Sequence, residues 1–264
     1  MRYKICLDAG HYGKYNRSPG VPEYYESDMN WKFHLLLKTE LQRYGFDVTL
    51  TRASQNEDLE LTKRGRTAEG CDLFLSLHSN AVGSEMNEQV DHPVGIYFVE
   101  DGCAADEKSR ELAEILSQTV EQVMQTAQPA KVYSRLSERD RDGDGKCNDD
   151  YYGVLYGAHQ AGVPGVILEH SFHTCTRSAK WLLDTENLKK LARAEAGALA
   201  QYFGLEKLPF VDVRQDSPFF EDIRWAWQEG VIYGRNPTKF DPNTPLTRAE
   251  AVAMLHRYHE ECRN

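Results

Sequence analysis

Apolar and polar positions along the chain follow two alternating rhythms, one of period two and one near 3.6. Residues 3–7 (Tyr3, Lys4, Ile5, Cys6, Leu7) predict a short strand that runs into Asp8, Ala9, Gly10 and His11. Over 28–44, Phe33, Leu36, Leu37, Leu41 and Tyr44 form one helical stripe, and Gly45 stands where a helix-ending glycine belongs. Residues 46–51 alternate again as a strand. A short helix over 61–69 closes at Gly70, and Leu73, Phe74, Leu75, Ser76 and Leu77 read as a buried strand delivering His78, Ser79 and Asn80. A strand over 95–99 precedes the longest helix, 104–125, whose Leu112, Ile115, Leu116, Val120 and Val123 share a face. A shorter helix over 151–160 leads to the apolar run 163–168, which ends at Glu169. A last helix over 185–203 stops before Gly204. Strands alternating with helices predict an α/β fold, a central sheet flanked by helices on both faces.

Three apolar runs therefore end in His11, His78 and Glu169. In open α/β sheets, ligands sit just beyond the carboxyl ends of strands. One strand-end histidine usually does no more than bond a neighbouring loop. Two histidines and a carboxylate at three strand ends are instead the donor set of a catalytic zinc site, with a fourth position left to water. Glu23 and Glu26, both in the loop after His11, are candidates for a further carboxylate, and no HExxH motif is present. His170 points to the face opposite Glu169 if the run is a strand, so packing or substrate contact is expected of His170 and His173. His34 lies within a helix, and His92, His159, His256 and His259 have no supporting pattern. Arg64 and Arg66 read as salt-bridge or loop-anchoring residues.

Composition narrows the setting. With 264 residues the chain can build one core of ~200 residues and a small appendage. No apolar run approaches 18 residues, so no membrane span is expected. A formal charge of -10 argues against a nucleic-acid partner, which demands a basic footprint. Cys6, Cys71, Cys103, Cys147, Cys175 and Cys262 are scattered without a CxxC pair and read as free thiols. Met1 and Arg2 lead straight into the first strand, with no visible signal peptide.

Two further stretches stand apart. Asp140, Asp142, Asp144, Gly145 and Asn148 have the spacing of a calcium loop, but Tyr151 occupies the position that calls for a bidentate Glu. A calcium site and a solvated acidic loop are both open there. Near Leu208 and Pro209 the composition shifts, and residues 209–260 read as a small helical module. Its second helix is capped by Thr247 with Glu250 three residues on. Phe219, Phe220, Trp225 and Trp227 make it strongly aromatic.

Ile5-Cys6-Leu7-Asp8-Ala9-Gly10-His11, Glu26 ahead of a helix, Asp72 through Ala81 with His78, and Val166-Ile167-Leu168-Glu169 together resemble the zinc-dependent N-acetylmuramoyl-L-alanine amidases of the type-3 family. The likeness spans 1–205 and implies a mixed central sheet. It also implies one zinc per chain on His11, Glu26 and His78, with Glu169 as the catalytic proton shuttle. The reaction implied is hydrolysis of the amide joining N-acetylmuramic acid to L-alanine of the peptidoglycan stem peptide. Residues 209–260 resemble a single S-layer homology motif. Such motifs usually occur in threes and bind secondary cell-wall polysaccharide; here Arg248 is the residue expected to face an anionic wall polymer. One copy implies a homo-oligomer through 209–260, with a module docked on its own catalytic domain as the alternative.

The expected activity is thus that of a peptidoglycan hydrolase acting at the cell wall. The setting is either a phage or prophage endolysin released from the cytoplasm, or an autolysin whose signal has been removed. A non-catalytic wall-binding protein and a zinc peptidase cutting stem peptides are the competing readings.

Overall fold

The computed structural model describes residues 3–99, 104–141, 143, 145–147, 149–214 and 216–261. Strands β1 (Lys4–Ala9), β2 (Asp47–Leu50), β3 (Leu73–Asn80), β4 (Val94–Tyr97), β5 (Lys131–Tyr133) and β6 (Gly165–Phe172) form one sheet in the order β2-β1-β3-β6-β4-β5. β2, β1, β3 and β6 run parallel, β4 is antiparallel to β6, and β5 is parallel to β4. The sheet is therefore mixed, as the family likeness implies.

Period-two alternation divides the sheet into two faces. Ile5, Leu7, Leu73, Leu75, Leu77, Val166 and Leu168 pack against α1 (Glu26–Arg43), α3 (Ala104–Met124), α5 (Thr176–Leu183) and α6 (Thr185–Tyr202). Cys6, Phe74 and Ile167 face the other way, toward α4 (Gly153–Gln160) and Ala68, which follows α2 (Leu61–Arg66). The predicted stripe of α1 is the buried one: Phe33, Leu37 and Leu41 are all fully enclosed, each contributing about 1.5–3 kcal/mol of apolar burial. Cys6, Cys71, Cys147 and Cys175 are free thiols, with Cys6 and Cys71 in the second cluster as core fillers. Cys103 and Cys262 lie outside the described residues. Among the described residues no helix is long and apolar enough to cross a membrane.

Two elements depart from the sequence expectation. β5 is a three-residue edge strand, too short to show a period. α5 starts directly after β6 without a side-chain cap, so nothing in the sequence announces it. β3 and β6 also run on past Leu77 and Leu168, to Asn80 and Phe172.

Residues 208–254 contribute a third core cluster, in which Phe210, Phe220, Ile223, Val231 and Ile232 are buried. It joins α7 (Phe220–Gln228) to α8 (Arg248–Glu261). The cap of α8 is the expected box: Thr247 N donates to Glu250 Oε2 (2.8 Å) and Glu250 N to Thr247 Oγ1 (3.2 Å). α7 lies against the end of α1. The Arg224 guanidinium is held by Glu221 (3.0 Å) and Gln228 (2.8 Å) and reaches the Tyr44 carbonyl at 3.5 Å. Gly45, at φ 85°, both ends α1 and admits this contact, since a Cβ there would stand 1.9 Å from Arg224 Cζ. Of the four aromatics singled out above, Phe220 is buried and Trp227 is packed on the cluster, while Phe219 and Trp225 stay exposed.

Candidate metal centre

The alternation that builds the core also sets the site. On β3, Phe74, Ser76 and His78 share one face; on β6, Ile167 and Glu169 do. Register places His78 directly opposite Glu169, and a bulge follows at once, before the Asn80–Phe172 pair. Bulges of this kind re-aim side chains beside functional sites. His11 follows β1 with φ 63°, a costly left-handed conformation for a residue with a side chain. That turn brings His11 Nε2 to 3.2 Å from Glu26 Oε2. His78 Nδ1 lies 2.9 Å from the other oxygen of Glu26.

His11, Glu26 and His78 offer one ligand atom each, all within 4.8 Å of one another, and form a group able to hold a metal ion. Zinc bonds of about 2.0–2.2 Å at tetrahedral angles separate donors by roughly 3.3 Å, close to these contacts. The donor set, two imidazoles and one carboxylate, fits zinc. Gly10 is part of the fit, because a Cβ there would lie 2.2–2.6 Å from the His78 ring. Only a glycine lets that imidazole stand against β1.

Glu26 is the first residue of α1 and 1% exposed. The helix N-terminus favours its charge, and Ser79 N (3.1 Å) and Asn16 Nδ2 (2.5 Å) donate to it. Burial alone raises its pKa, yet the hydrogen bonds from His11 and His78 outweigh burial and hold the carboxyl well below its usual range. Glu169 is the opposite case. Burial, with the Glu26 charge adding to it, pushes its pKa well up, and its Oε2 is buried without a hydrogen-bond partner. The two carboxyls are thus pushed apart, Glu26 toward its ionised form and Glu169 toward its protonated form.

A cavity of about 860 Å³ opens from His11 and His78 and is walled by Tyr12, Tyr15, the start of α2, the arginines Arg135, Arg139 and Arg141, and Tyr151 and Tyr152. The His11 ring stacks on Tyr15 with centroids 4.7 Å apart.

On the opposite face, His170 is fully buried, as its strand position demands. Its Nδ1 meets the His78 carbonyl at 2.8 Å and its Nε2 meets Glu195 of α6 at 2.9 Å. Both ring nitrogens lie against oxygen atoms, and burial raises the Glu195 pKa. His173 packs likewise, bonded to Ser79 Oγ (3.0 Å) beside Tyr24. Neither reaches the cavity wall.

The remaining sequence candidates separate clearly. Glu23 is exposed and outside the metal group; Glu26 is inside it. Arg64 is structural, 3.6 Å from the buried Asp8 and bonded to the Leu59 carbonyl, and Arg66 grips Gln160. Arg248 is exposed at the start of α8. Of the acidic loop, Asp142, Asp144 and Asn148 lie outside the described residues, and Asp140 accepts the N–H groups of Gly143 (2.7 Å) and Gly145 (2.9 Å). Asn16, Ser79 and Glu195 were missed. Of these only Glu195 had a signal: it interrupts the apolar stripe Leu188, Leu191, Ala192, Ala196 and Leu199 with a charge.

The sequence profile of the N-acetylmuramoyl-L-alanine amidase family matches residues 5–201, about three quarters of the chain. That of the S-layer homology domain matches residues 209–252 and implies association with the cell wall. No curated protein sequence matches. Among solved structures, an N-acetylmuramoyl-L-alanine amidase from Clostridium difficile 630 is 19% identical, with a TM-score of 0.61 over 77% of this chain and 97% of its own. The catalytic domain of the amidase CwlV from Bacillus (Paenibacillus) polymyxa var. colistinus is 18% identical, with a TM-score of 0.60 over 78% and 100%. The amidase AmiC2 of Nostoc punctiforme is 20% identical, with a TM-score of 0.58 over 77% and 98%. At such identities these neighbours speak for the fold alone.

Proposed function

The chain belongs to the N-acetylmuramoyl-L-alanine amidase family and is a peptidoglycan hydrolase, and from that premise we propose that it works with one zinc ion on His11, Glu26 and His78 and with Glu169 as proton carrier. The observation that carries the reading is the pair of unlike carboxylates beside two histidines: Glu26 anchored and ionised, Glu169 buried with a free oxygen. Bound there, zinc supplies a water with a pKa of about 7 and polarises the scissile carbonyl. Glu169 accepts the proton of the attacking water and delivers it to the departing alanine nitrogen. Ser79 N and Asn16 fix the Glu26 carboxylate, and the His170–Glu195 pair steadies the backbone of His78 from behind. Metal analysis of the purified chain tests the site. We expect one zinc per chain, with activity lost on chelation and restored by zinc; a metal-free chain that is fully active contradicts it.

The division of labour follows: a catalytic domain over 1–205 and a wall-binding module over 209–260, acting as an endolysin or autolysin. Secondary cell-wall polysaccharide is the partner of that module, with Arg248 on its surface, and the 140–151 loop stays a candidate for calcium. Val252 and Leu255 on α8 are about two-thirds exposed, with Tyr258 beside them in the same stripe. An apolar face of this kind favours a second copy of the module as its occupant. Light scattering is expected to show an oligomer for the full chain and a monomer for residues 1–205. A monomeric full chain leaves the module docked on its own catalytic domain, where Arg224 meets the end of α1.

A further inference from the structure

The cavity is also lined by three arginines within seven residues, Arg135, Arg139 and Arg141. In a chain of formal charge -10, a surface arginine ordinarily finds a carboxylate, yet none of the three forms an ion pair among the described residues. Their placement is nonetheless ordered. Ser137 N donates to the Asp149 carbonyl (2.7 Å) and Tyr151 N to the Arg135 carbonyl (2.9 Å), either side of a Leu136–Asp150 bridge. Arg135 lies over the Tyr151 ring, 3.7 Å from its centroid. Stacking engages the face of a guanidinium and leaves its N–H edge available. Arg141 donates one N–H to the Tyr151 carbonyl (2.8 Å) and keeps the rest of its fork. The Arg139 side chain has no partner among the described residues, and only its backbone N–H is engaged, by Ser137 Oγ at 3.0 Å.

The acidic residues on the same cavity form no ion pair with them among the described residues. Glu60 is committed to the start of α2, accepting from Thr62 N and Lys63 N at 2.9 Å each. Asp58 and Glu138 also line the cavity without an ion pair to any of the three. What remains is a bank of planar forks lining the same cavity as His11 and His78. Forks of this kind match a carboxylate in two parallel hydrogen bonds.

We propose that Arg135, Arg139 and Arg141 form a subsite for a free carboxylate of the stem peptide, one or more residues beyond the alanine whose bond is cut. The inference rests on the amidase reading of the metal centre and adds a specificity to it. A stem peptide in which the residue after alanine is linked through its γ-carboxyl presents its α-carboxylate to this wall. The same peptide with that group amidated offers a neutral carboxamide and loses the charge-assisted pair. The enzyme therefore discriminates between acid and amidated stems, mainly through KM, because the interaction lies away from the reacting atoms.

The test uses two N-acetylmuramoyl peptides that differ only in carboxylate against carboxamide at that residue. The zinc-loaded full chain is expected to favour the acid by about tenfold or more in kcat/KM, the gap between a charged and a neutral hydrogen-bonded pair. Arg139→Gln, at an exposed position where no side-chain contact is lost, should narrow the preference to under about threefold, by raising KM for the acid while kcat holds. Equal kcat/KM for both peptides in the unaltered chain, or an undiminished preference in Arg139→Gln, overturns the subsite. If neither peptide is cut, the amidase reading fails instead. Calorimetric binding of the same two peptides to the full chain then decides the subsite, with preference for the acid sustaining it and equal affinity rejecting it.

Discussion

Replacing Glu169 by glutamine is expected to lower kcat by about 10²–10⁴-fold, the range of a lost general acid–base group, while zinc content stays at one per chain. Glutamine keeps the size of the side chain and removes its capacity to accept a proton. Glu169 is not among the three residues grouped as able to hold a metal ion, so zinc content is expected to be unchanged. Stability should move in the other direction. Burial and the Glu26 charge both penalise ionised Glu169, and its Oε2 has no hydrogen-bond partner. A neutral glutamine removes that repulsion, so the melting temperature is expected to be equal or higher. Loss of turnover in a protein that is no less stable is the mark of a group kept for chemistry and not for the fold. Turnover within about twofold of the unaltered enzyme would reject the role given to Glu169.

His78→Ala should weaken zinc binding by more than the 10–100-fold typical of outer-shell partners, because it removes a ligand outright. It also strips Glu26, 1% exposed, of a hydrogen-bond partner at 2.9 Å. Leaving a buried polar group short of a hydrogen-bond partner costs about 1–3 kcal/mol. The variant is therefore expected to lose both metal and stability, in contrast to Glu169→Gln. Denaturant titration and metal analysis of the two proteins side by side separate a ligand from a proton carrier. Full zinc occupancy in His78→Ala would remove His78 from the ligand set.

The positions of His78 and Glu169 were legible because strongly apolar runs announce strands, and strand ends in α/β sheets are where chemistry is done. The same alternation put His170 on the reverse face, where it is found. Glu23 and Glu26, three residues apart in a loop, could not be separated by spacing; the start of α1 at Glu26 separates them by burying one and exposing the other. Asn16 was beyond reach, since its role depends on a loop turning through a left-handed residue (φ 52°). Glu195 and His170 are 25 residues apart and meet only because α6 packs on the sheet. The α8 cap was legible to the residue, for a capping box is a local motif, whereas the Arg224–Gly45 contact joins parts of the chain about 180 residues apart.

Mass spectrometry of purified peptidoglycan digested by the zinc-loaded chain shows directly whether the bond between muramic acid and alanine is the one cut. Intact glycan strands bearing free lactyl carboxylates are expected, together with released stem peptides that begin with a new amino-terminal alanine, and neither product after chelation. Products cut between residues of the stem peptide, with alanine still joined to muramic acid, would contradict the amidase assignment.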